Sequence, residues 1–121
     1  MLLFPIGRAE LEPGPENNIA AATNNIRALL IEAGRLNGKI EIGVVGHTDI
    51  TGVEGTNLVL SKQRADVIIN LLARSGIKSA NLHPRGVGTS EPLHDESTEE
   101  GRRFNRSVTF KVAFSPAPPV N

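Results

Sequence analysis

The chain has 121 residues, 39% of them hydrophobic, with no cysteine and with 13 basic residues balancing 13 acidic ones. This length predicts one globular domain, and its core must rest on aliphatic residues because aromatic residues make up only 3%. The balanced charge argues against a nucleic-acid binder that depends on phosphate neutralisation. The lack of cysteine excludes disulfides and thiolate metal sites.

Both ends of the sequence are typical of a domain cut from a larger protein. We assign residues 1–114 to one folded domain and residues 115–121 to a proline-rich flexible tail. No apolar run approaches the length of a membrane helix, and the first residues are too short for a signal peptide. We therefore expect an export or membrane-anchoring segment elsewhere in a longer parent chain.

The first part of the chain predicts a strand followed by a long helix. Residues 2–6 form an apolar run that Pro5 interrupts, which a strand tolerates at an edge or an end. A helix is expected to begin with Pro15 in its first turn and to end at Asn37-Gly38. Its apolar face follows from spacings of three and four residues: Ile19, Thr23, Ile26, Leu30 and Ala33.

The remaining elements alternate in type. Residues 40–45 predict a second strand, and residues 57–75 predict a second long helix that Gly76 ends. Residues 82–89 predict a weak third strand, because it contains proline and glycine. A short helix is expected at residues 98–104, after a capping-box sequence. The clearest strand is the last, where apolar residues alternate with polar or small ones: Val108, Phe110, Val112 and Phe114.

This order predicts an α/β fold, a two-layer β-α-β-α-β-(short α)-β sandwich with a mixed sheet of about four strands. The alternation in the last strand indicates that one sheet face is exposed to solvent. Both long helices are therefore expected on the other face.

The stretch from Gly46 to Ala65 carries the candidate binding residues. Asn57 and Arg64 lie seven positions apart, so they share nearly one face of the second helix, close to an N-terminus that favours anions. Guanidinium binds carboxylate through two parallel hydrogen bonds. Asp49, on the loop before this helix, is placed to accept from an ammonium group. Together, Asp49 and Arg64 predict a site for a zwitterion such as an amino-acid α-carbon.

Other interpretations of these residues remain open from the pattern alone. Asp49 is also a common turn former, Arg64 is also typical of a solvated helix surface, and the two could pair with each other. His47, Ser61 and Asp49 form a conceivable triad, but no nucleophile-elbow sequence accompanies them. No histidine pair has the spacing of a metal site. We therefore expect no catalytic residues, no metal and no cofactor.

Several ordered motifs resemble the OmpA C-terminal domain family, which includes peptidoglycan-associated lipoproteins and the periplasmic part of flagellar stator MotB proteins. The motifs run through nearly the whole chain: Gly46-His47-Thr48-Asp49, Gly52, Asn57, Leu60-Ser61, Arg64-Ala65, Gly76-Ile77, Gly86-Val87-Gly88, Gly101-Arg102 and Asn105-Arg106.

The resemblance implies a non-enzymatic periplasmic domain that binds peptidoglycan through the diaminopimelate of its stem peptide and anchors a larger envelope protein to the cell wall. It implies that Asp49 meets the ammonium of diaminopimelate and Arg64 its carboxylate. Asn57 and the backbone of the loop from Thr48 to Gly52 would add polar contacts, and Arg106 would flank the pocket. Contact with a membrane is expected only through missing parts of the parent chain, and a homodimer is compatible with this interpretation.

Two positions depart from the family pattern. The family usually has two arginines after the asparagine of its last motif, whereas this chain has Arg106-Ser107. Arg8 adds a positive charge near the expected mouth of the pocket. These departures favour an alternative in which the domain is a protein-interaction or assembly module that does not bind peptidoglycan. A hydrolase that uses His47 is the third hypothesis.

Overall fold

A computed structural model of the chain describes residues 1–14 and 17–117. Strands and helices alternate along this part of the chain: β1 (Leu2–Leu3), α1 (Ile19–Arg35), β2 (Lys39–Gly46), α2 (Glu54–Arg74), β3 (Leu82–Gly86), α3 (Glu99–Asn105) and β4 (Ser107–Ser115). The sheet order is β1-β4-β2-β3, with β2 and β3 parallel and the other pairs antiparallel. The predicted α/β architecture with a mixed four-stranded sheet is confirmed.

Both long helices pack on the same face of the sheet. Ile42 and Val44 of β2 are fully buried, and they share one core cluster with Ile26 of α1 and with Ile68 and Leu72 of α2. Alternate residues of a strand point to the same face, so these contacts place α1 and α2 together. Apart from Phe4, the buried residues of this cluster are aliphatic, as the composition indicates.

The apolar face of β4 is only half covered. Val108 is buried, but Val112 and Phe114 are 49% and 46% exposed. The alternation predicted all of these residues on one covered face. The difference arises because β1 pairs with β4 only at Ser107 and Val108, and because a groove between α1 and β4, lined in part by Leu29, stays open.

The first helix starts later than the sequence predicted. It begins at Ile19, and the Asn18 side chain caps it by accepting a hydrogen bond from the Ala21 amide at 3.0 Å. A capping asparagine satisfies one of the free amides of the first turn, so this start is chemically favoured. Pro15 and residues 118–121 of the predicted tail lie outside the described residues.

Three other boundaries differ from the prediction. The strand β1 ends at Leu3, and Ile6 is 62% exposed outside it. The strand β3 ends at Gly86 rather than at residue 89. The helix α2 begins at Glu54, whose carboxylate in the first turn interacts favourably with the helix dipole. This earlier start places Asn57 at the end of the first turn.

The helix α2 crosses the strands at two glycines. A Cβ atom at Gly46 would lie 1.8 Å from the Ser61 carbonyl oxygen, and one at Gly86 would lie 2.5 Å from the Lys62 amide nitrogen. Only glycine therefore lets the helix backbone rest on β2 and β3 at this point. This close approach draws the loop after β2 and the first turns of α2 around one shared space.

Candidate functional site

A cavity of about 520 Å³ lies where the loop after β2 meets the first turns of α2. We call it the site cavity. All five residues that the sequence analysis assigned to binding line it: Thr48, Asp49, Asn57, Arg64 and Arg106. They come from the β2–α2 loop, from α2 and from the junction of α3 with β4. The fold thus brings together residues that are far apart in sequence.

The Asp49 carboxylate lies on the floor of the site cavity and is 5% exposed. One oxygen accepts from the Thr51 amide at 2.8 Å, and the other accepts from Arg106 Nη1 at 2.9 Å. Burial raises the pKa of this carboxyl, but the hydrogen bonds from Arg106 and Thr51 outweigh it and hold the pKa below its usual range. Asp49 is therefore ionised at neutral pH.

The Arg64 guanidinium is 1% exposed and is fixed by main-chain oxygens. Its Nε donates to the Arg8 carbonyl at 2.9 Å, Nη1 to the His47 carbonyl at 2.9 Å, and Nη2 to the Pro5 carbonyl at 3.0 Å. The guanidinium also stands 5.3 Å from the centre of the Phe4 ring. Burial lowers its pKa to about 10, which leaves it cationic at neutral pH.

Arg64 and Asp49 do not form the direct pair that the sequence left open. The cationic partner of Asp49 is instead Arg106, which is 5% exposed and also donates to Glu99 at 3.2 Å and to the Phe4 carbonyl at 3.3 Å. The family resemblance implied a position for Arg106 only at the flank of the pocket. No local pattern signals this pairing, because the two residues are 57 positions apart.

Two smaller polar side chains complete the floor. Asn57 is buried and donates from Nδ2 to the Thr51 carbonyl at 3.1 Å, so it also holds the loop that carries Asp49. The Thr48 hydroxyl is buried and has no hydrogen-bond partner among the residues that the structure describes. A buried hydroxyl without a partner is costly, so a hydrogen bond to this atom would stabilise the domain.

The N-terminal half of α2 buries a polar face rather than an apolar one. Asn57, Ser61 and Arg64 are buried, whereas Leu58 is 45% exposed. The reason is that this half faces the site cavity and the glycine crossing, not the aliphatic core. Three exposed aliphatic side chains at the cavity were missed: Ile6, Val53 and Val59.

His47 and Ser61 do not form a catalytic unit with Asp49. The His47 ring donates from Nδ1 to the Glu91 carbonyl at 3.1 Å and accepts at Nε2 from the Thr109 hydroxyl at 2.9 Å. Burial lowers the pKa of His47, which favours the neutral ring. The Ser61 hydroxyl donates to the Leu58 carbonyl and accepts from the Gly88 amide. Both side chains thus join elements of the fold.

The two departures from the family pattern have little effect on the cavity floor. Arg8 is exposed, and its contribution is the carbonyl that accepts from Arg64. Ser107 is fully buried in β4, and its carbonyl accepts from the His47 amide at 2.8 Å. Neither side chain lines the site cavity.

Across residues 1–14 and 17–117, no helix is long and apolar enough to cross a membrane. In the same part of the chain, no three histidine, aspartate or glutamate side chains group as they would around a metal ion.

A family model described as the OmpA family matches residues 3–106. The chain belongs to the OmpA family. The matched region runs from β1 to Arg106, so it includes every residue on the floor of the site cavity. The resemblance drawn from the sequence motifs is confirmed.

Relatives of known name share this OmpA-family domain. Outer-membrane lipoprotein YfiB of Pseudomonas aeruginosa is 33% identical over 111 residues, which are 92% of this chain and 61% of YfiB. Peptidoglycan-binding protein ArfA of Mycobacterium tuberculosis is 37% identical over 71 residues, which are 59% of this chain and 22% of ArfA. The chain therefore spans less than two thirds of the length of either relative.

The OmpA-family fold also agrees with a solved structure. The peptidoglycan-associated lipoprotein from Burkholderia pseudomallei superposes with a TM-score of 0.68 at 20% identity, covering 91% of this chain and 88% of that one. At this identity the similarity shows the fold alone.

Proposed function

We propose that this domain binds peptidoglycan non-covalently and holds the zwitterionic end of diaminopimelate, in the stem peptide, in the site cavity. The observation that carries the proposal is a buried carboxylate and a buried guanidinium, Asp49 and Arg64, on the floor of one open cavity. The family relative ArfA is a peptidoglycan-binding protein, which supports this class of ligand.

The ammonium and the carboxylate of the ligand each have a protein partner with unused hydrogen-bonding groups. Every Asp49 oxygen accepts one hydrogen bond from the protein, and a carboxylate oxygen can accept two, so an ammonium group can be added. Arg64 has five N–H groups and uses three of them on the described carbonyls. The remaining two would donate to the ligand carboxylate, and the Thr48 hydroxyl would gain its missing partner.

The charge balance of the floor favours a ligand that carries a carboxylate. Of the residues that line the cavity, Arg64 and Arg106 bring two positive charges and Asp49 brings one negative charge, which leaves an excess of one positive charge. Glu99 also pairs with Arg106 but lies outside the lining and is 62% exposed, so solvent screens its charge and it offsets this excess only in part. The excess positive charge would repel an amine that carries no carboxylate, whereas both charges of a zwitterion would find a partner of opposite sign. The excess positive charge favours diaminopimelate over a stem-peptide lysine, whose free end carries only an ammonium.

Sedimentation with purified sacculi tests the proposal. Asp49→Asn removes one charge at nearly constant shape, and Arg64→Lys keeps the charge but loses the planar guanidinium and its parallel N–H donors. Because a hydrogen bond to a charged group contributes about 1.5–3 kcal/mol, each variant should weaken binding roughly 10- to 100-fold. Arg74→Ala, at the other end of α2, is the matched control and should bind like the wild type.

Free diaminopimelate gives a second measurement on the same proteins. Amide NMR should show shifts in residues 48–57 on addition of diaminopimelate, and not on addition of cadaverine or pimelate, which carry only one sign of charge. Circular dichroism confirms that each variant is folded. Folded Asp49→Asn and Arg64→Lys proteins that sediment like the wild type would contradict the assignment of these residues.

The wider role follows the family. The relative YfiB is an outer-membrane lipoprotein, and we infer that this domain anchors a larger envelope protein to the cell wall from the periplasm without catalysing a reaction. No release of muropeptides from sacculi is expected over time. Residues 1–114 would form the binding domain and residues 115–121 a flexible tail.

One observation favours a second candidate function, that of an assembly module without a cell-wall ligand. The Asp49 carboxylate already has a buried ion pair with Arg106, so its charge does not require a ligand. In that case, neither sacculi nor diaminopimelate would bind, and Asp49→Asn would change only the stability of the domain.

Self-association of the domain stays a prediction, and the edge of β4 supports it. The carbonyl of Arg106 accepts from the Phe4 amide, so the main-chain groups of the even-numbered β4 residues face the side on which β1 pairs. Along this edge of the sheet, β1 covers β4 only as far as Val108. Val112 and Phe114 lie beyond β1 on this edge. A second copy could pair antiparallel about Val112, and sedimentation equilibrium would measure the resulting mass.

A further inference from the structure

Three exposed aliphatic side chains form the rim of the site cavity, above its charged floor. Ile6 is 62% exposed, Val53 is 70% exposed and Val59 is 59% exposed, and all three line the cavity. They belong to three separate segments: the chain after β1, the end of the β2–α2 loop, and α2. Single exposed aliphatic residues are common, but a group that surrounds a binding cavity indicates a surface for an apolar part of a ligand.

We infer that this rim binds the methylene chain that joins the zwitterionic end of the ligand to the rest of the peptide. The site cavity would then recognise a zwitterion on an extended aliphatic chain, and not a small zwitterion such as glycine. This inference rests on the proposed function, because the floor must first hold the charged end. It adds Ile6, Val53 and Val59 as residues that determine specificity.

The positions of floor and rim suit such a ligand. The residues Asp49, Arg64 and Arg106 are each at most 5% exposed, so a ligand must place its charged end deep in the cavity. The atoms next to that end must then pass the rim on their way out. In diaminopimelate these atoms are methylene groups, and their transfer from water into contact with Val53 and Val59 is favourable.

Contact with the rim would also strengthen binding at the floor. An aliphatic chain that covers the mouth displaces water from above the ion pairs, and charges attract each other more strongly when water is excluded. The charged floor and the apolar rim would therefore reinforce each other.

A series of straight-chain α-amino acids tests the inference. Glycine, alanine, 2-aminobutyrate, norvaline and norleucine carry the same zwitterion on a chain that lengthens by one carbon at each step. Each buried methylene should raise the affinity up to about fourfold, the equivalent of about 0.8 kcal/mol, until the chain leaves the rim. Amide NMR titrations of the intact domain measure these affinities.

The variant Val53→Thr/Val59→Thr replaces two rim methyl groups by hydroxyls at nearly constant volume. It should reduce the gain per methylene to less than twofold. The matched control is Ile31→Thr, an exposed aliphatic position on α1 that does not line the cavity and that should keep the wild-type slope.

The outcomes separate this inference from the proposed function. If diaminopimelate and the amino acids bind with affinities that do not depend on chain length, the inference is wrong and the proposed function stands. The same holds if the slope is equal in the rim variant and in the wild type. If neither diaminopimelate nor any member of the series binds, the proposed function itself is wrong.

Discussion

At the residue scale, the sequence predicted which polar side chains share a site but not how they bond. The seven-residue spacing of Asn57 and Arg64 is a local property of a helix, so their common face could be predicted. The ion pair between Asp49 and Arg106 joins a loop to the start of a distant strand, and it depends on the tertiary fold. The three carbonyl partners of Arg64 depend on it as well, because main-chain oxygens carry no sequence signal.

The buried ion pair leads to a prediction on stability. Arg106→Leu removes the paired cation and leaves the Asp49 carboxylate buried, with Thr51 as its remaining hydrogen-bond partner. Removal of one member of a buried ion pair costs about 3–5 kcal/mol, so we expect the free energy of unfolding to fall by an amount in this range. Urea denaturation followed by circular dichroism measures the change.

An exposed ion pair provides the control for this substitution. Arg35→Ala breaks a contact with Glu32 in which both side chains are more than half exposed, so it should leave the denaturation midpoint nearly unchanged. Equal effects of Arg106→Leu and Arg35→Ala would show that the buried pair contributes no more to the free energy of unfolding than the exposed pair.

The lowered pKa of Asp49 predicts a dependence of stability on pH. The folded pKa lies below the unfolded value of about 3.9, so the folded state favours the ionised carboxyl. The resulting stabilisation is complete above the unfolded pKa and is lost as the pH falls through the folded pKa. The stability difference between wild type and Asp49→Asn should therefore shrink as the pH is lowered below about 4.

Chemical denaturation of both proteins between neutral and strongly acidic pH measures this difference. Comparison with Asp49→Asn is needed because other carboxyls, such as Glu91 and Glu99, also have lowered pKa values. A difference that stays constant with pH would contradict the ionised, paired state of Asp49.

At the scale of the elements, long periodic patterns were predicted well and element ends were not. The apolar spacing in α1 and α2 and the alternation in β4 identify each element, because they extend over many residues. The start of α2 at Glu54 and the short β1 depend instead on how the chain packs around the site cavity. The prediction for β4 assumed a covering layer along its whole length, which α1 and β1 do not supply.

The glycine crossing predicts a strong effect of one methyl group. Gly46→Ala would force its Cβ against the Ser61 carbonyl, so α2 must move away from β2. Overpacking of this kind typically costs about 1–3 kcal/mol, and the upper end is expected because a main-chain atom cannot turn aside. The shift should also change the amide NMR signals around the site cavity.

Gly43→Ala is the control within the same strand. Its Cβ would meet the nearest atom, Lys111 Cβ, at 3.6 Å, which is an ordinary contact. Its denaturation midpoint should therefore stay close to the wild-type value. If Gly46→Ala were as stable as Gly43→Ala, α2 would not be held by close contact with β2.

At the scale of the whole molecule, the alternating order of elements was enough to predict the two-layer architecture. The site cavity was harder to predict, because four segments assemble it: the chain after β1, the β2–α2 loop, α2, and the α3–β4 junction. The motifs identified three of these segments. The fourth, which carries Ile6, was taken for a strand, and its exposed position becomes clear only once β1 ends at Leu3.

The three carbonyls around Arg64 determine how the domain would respond to a ligand. The guanidinium is already immobilised, so binding would cost little side-chain entropy and would not require a change of rotamer. We therefore expect the free and occupied domains to superpose closely, as in other preorganised recognition sites. The binding site of such a domain would already have its ligand-bound conformation before the domain meets the cell wall.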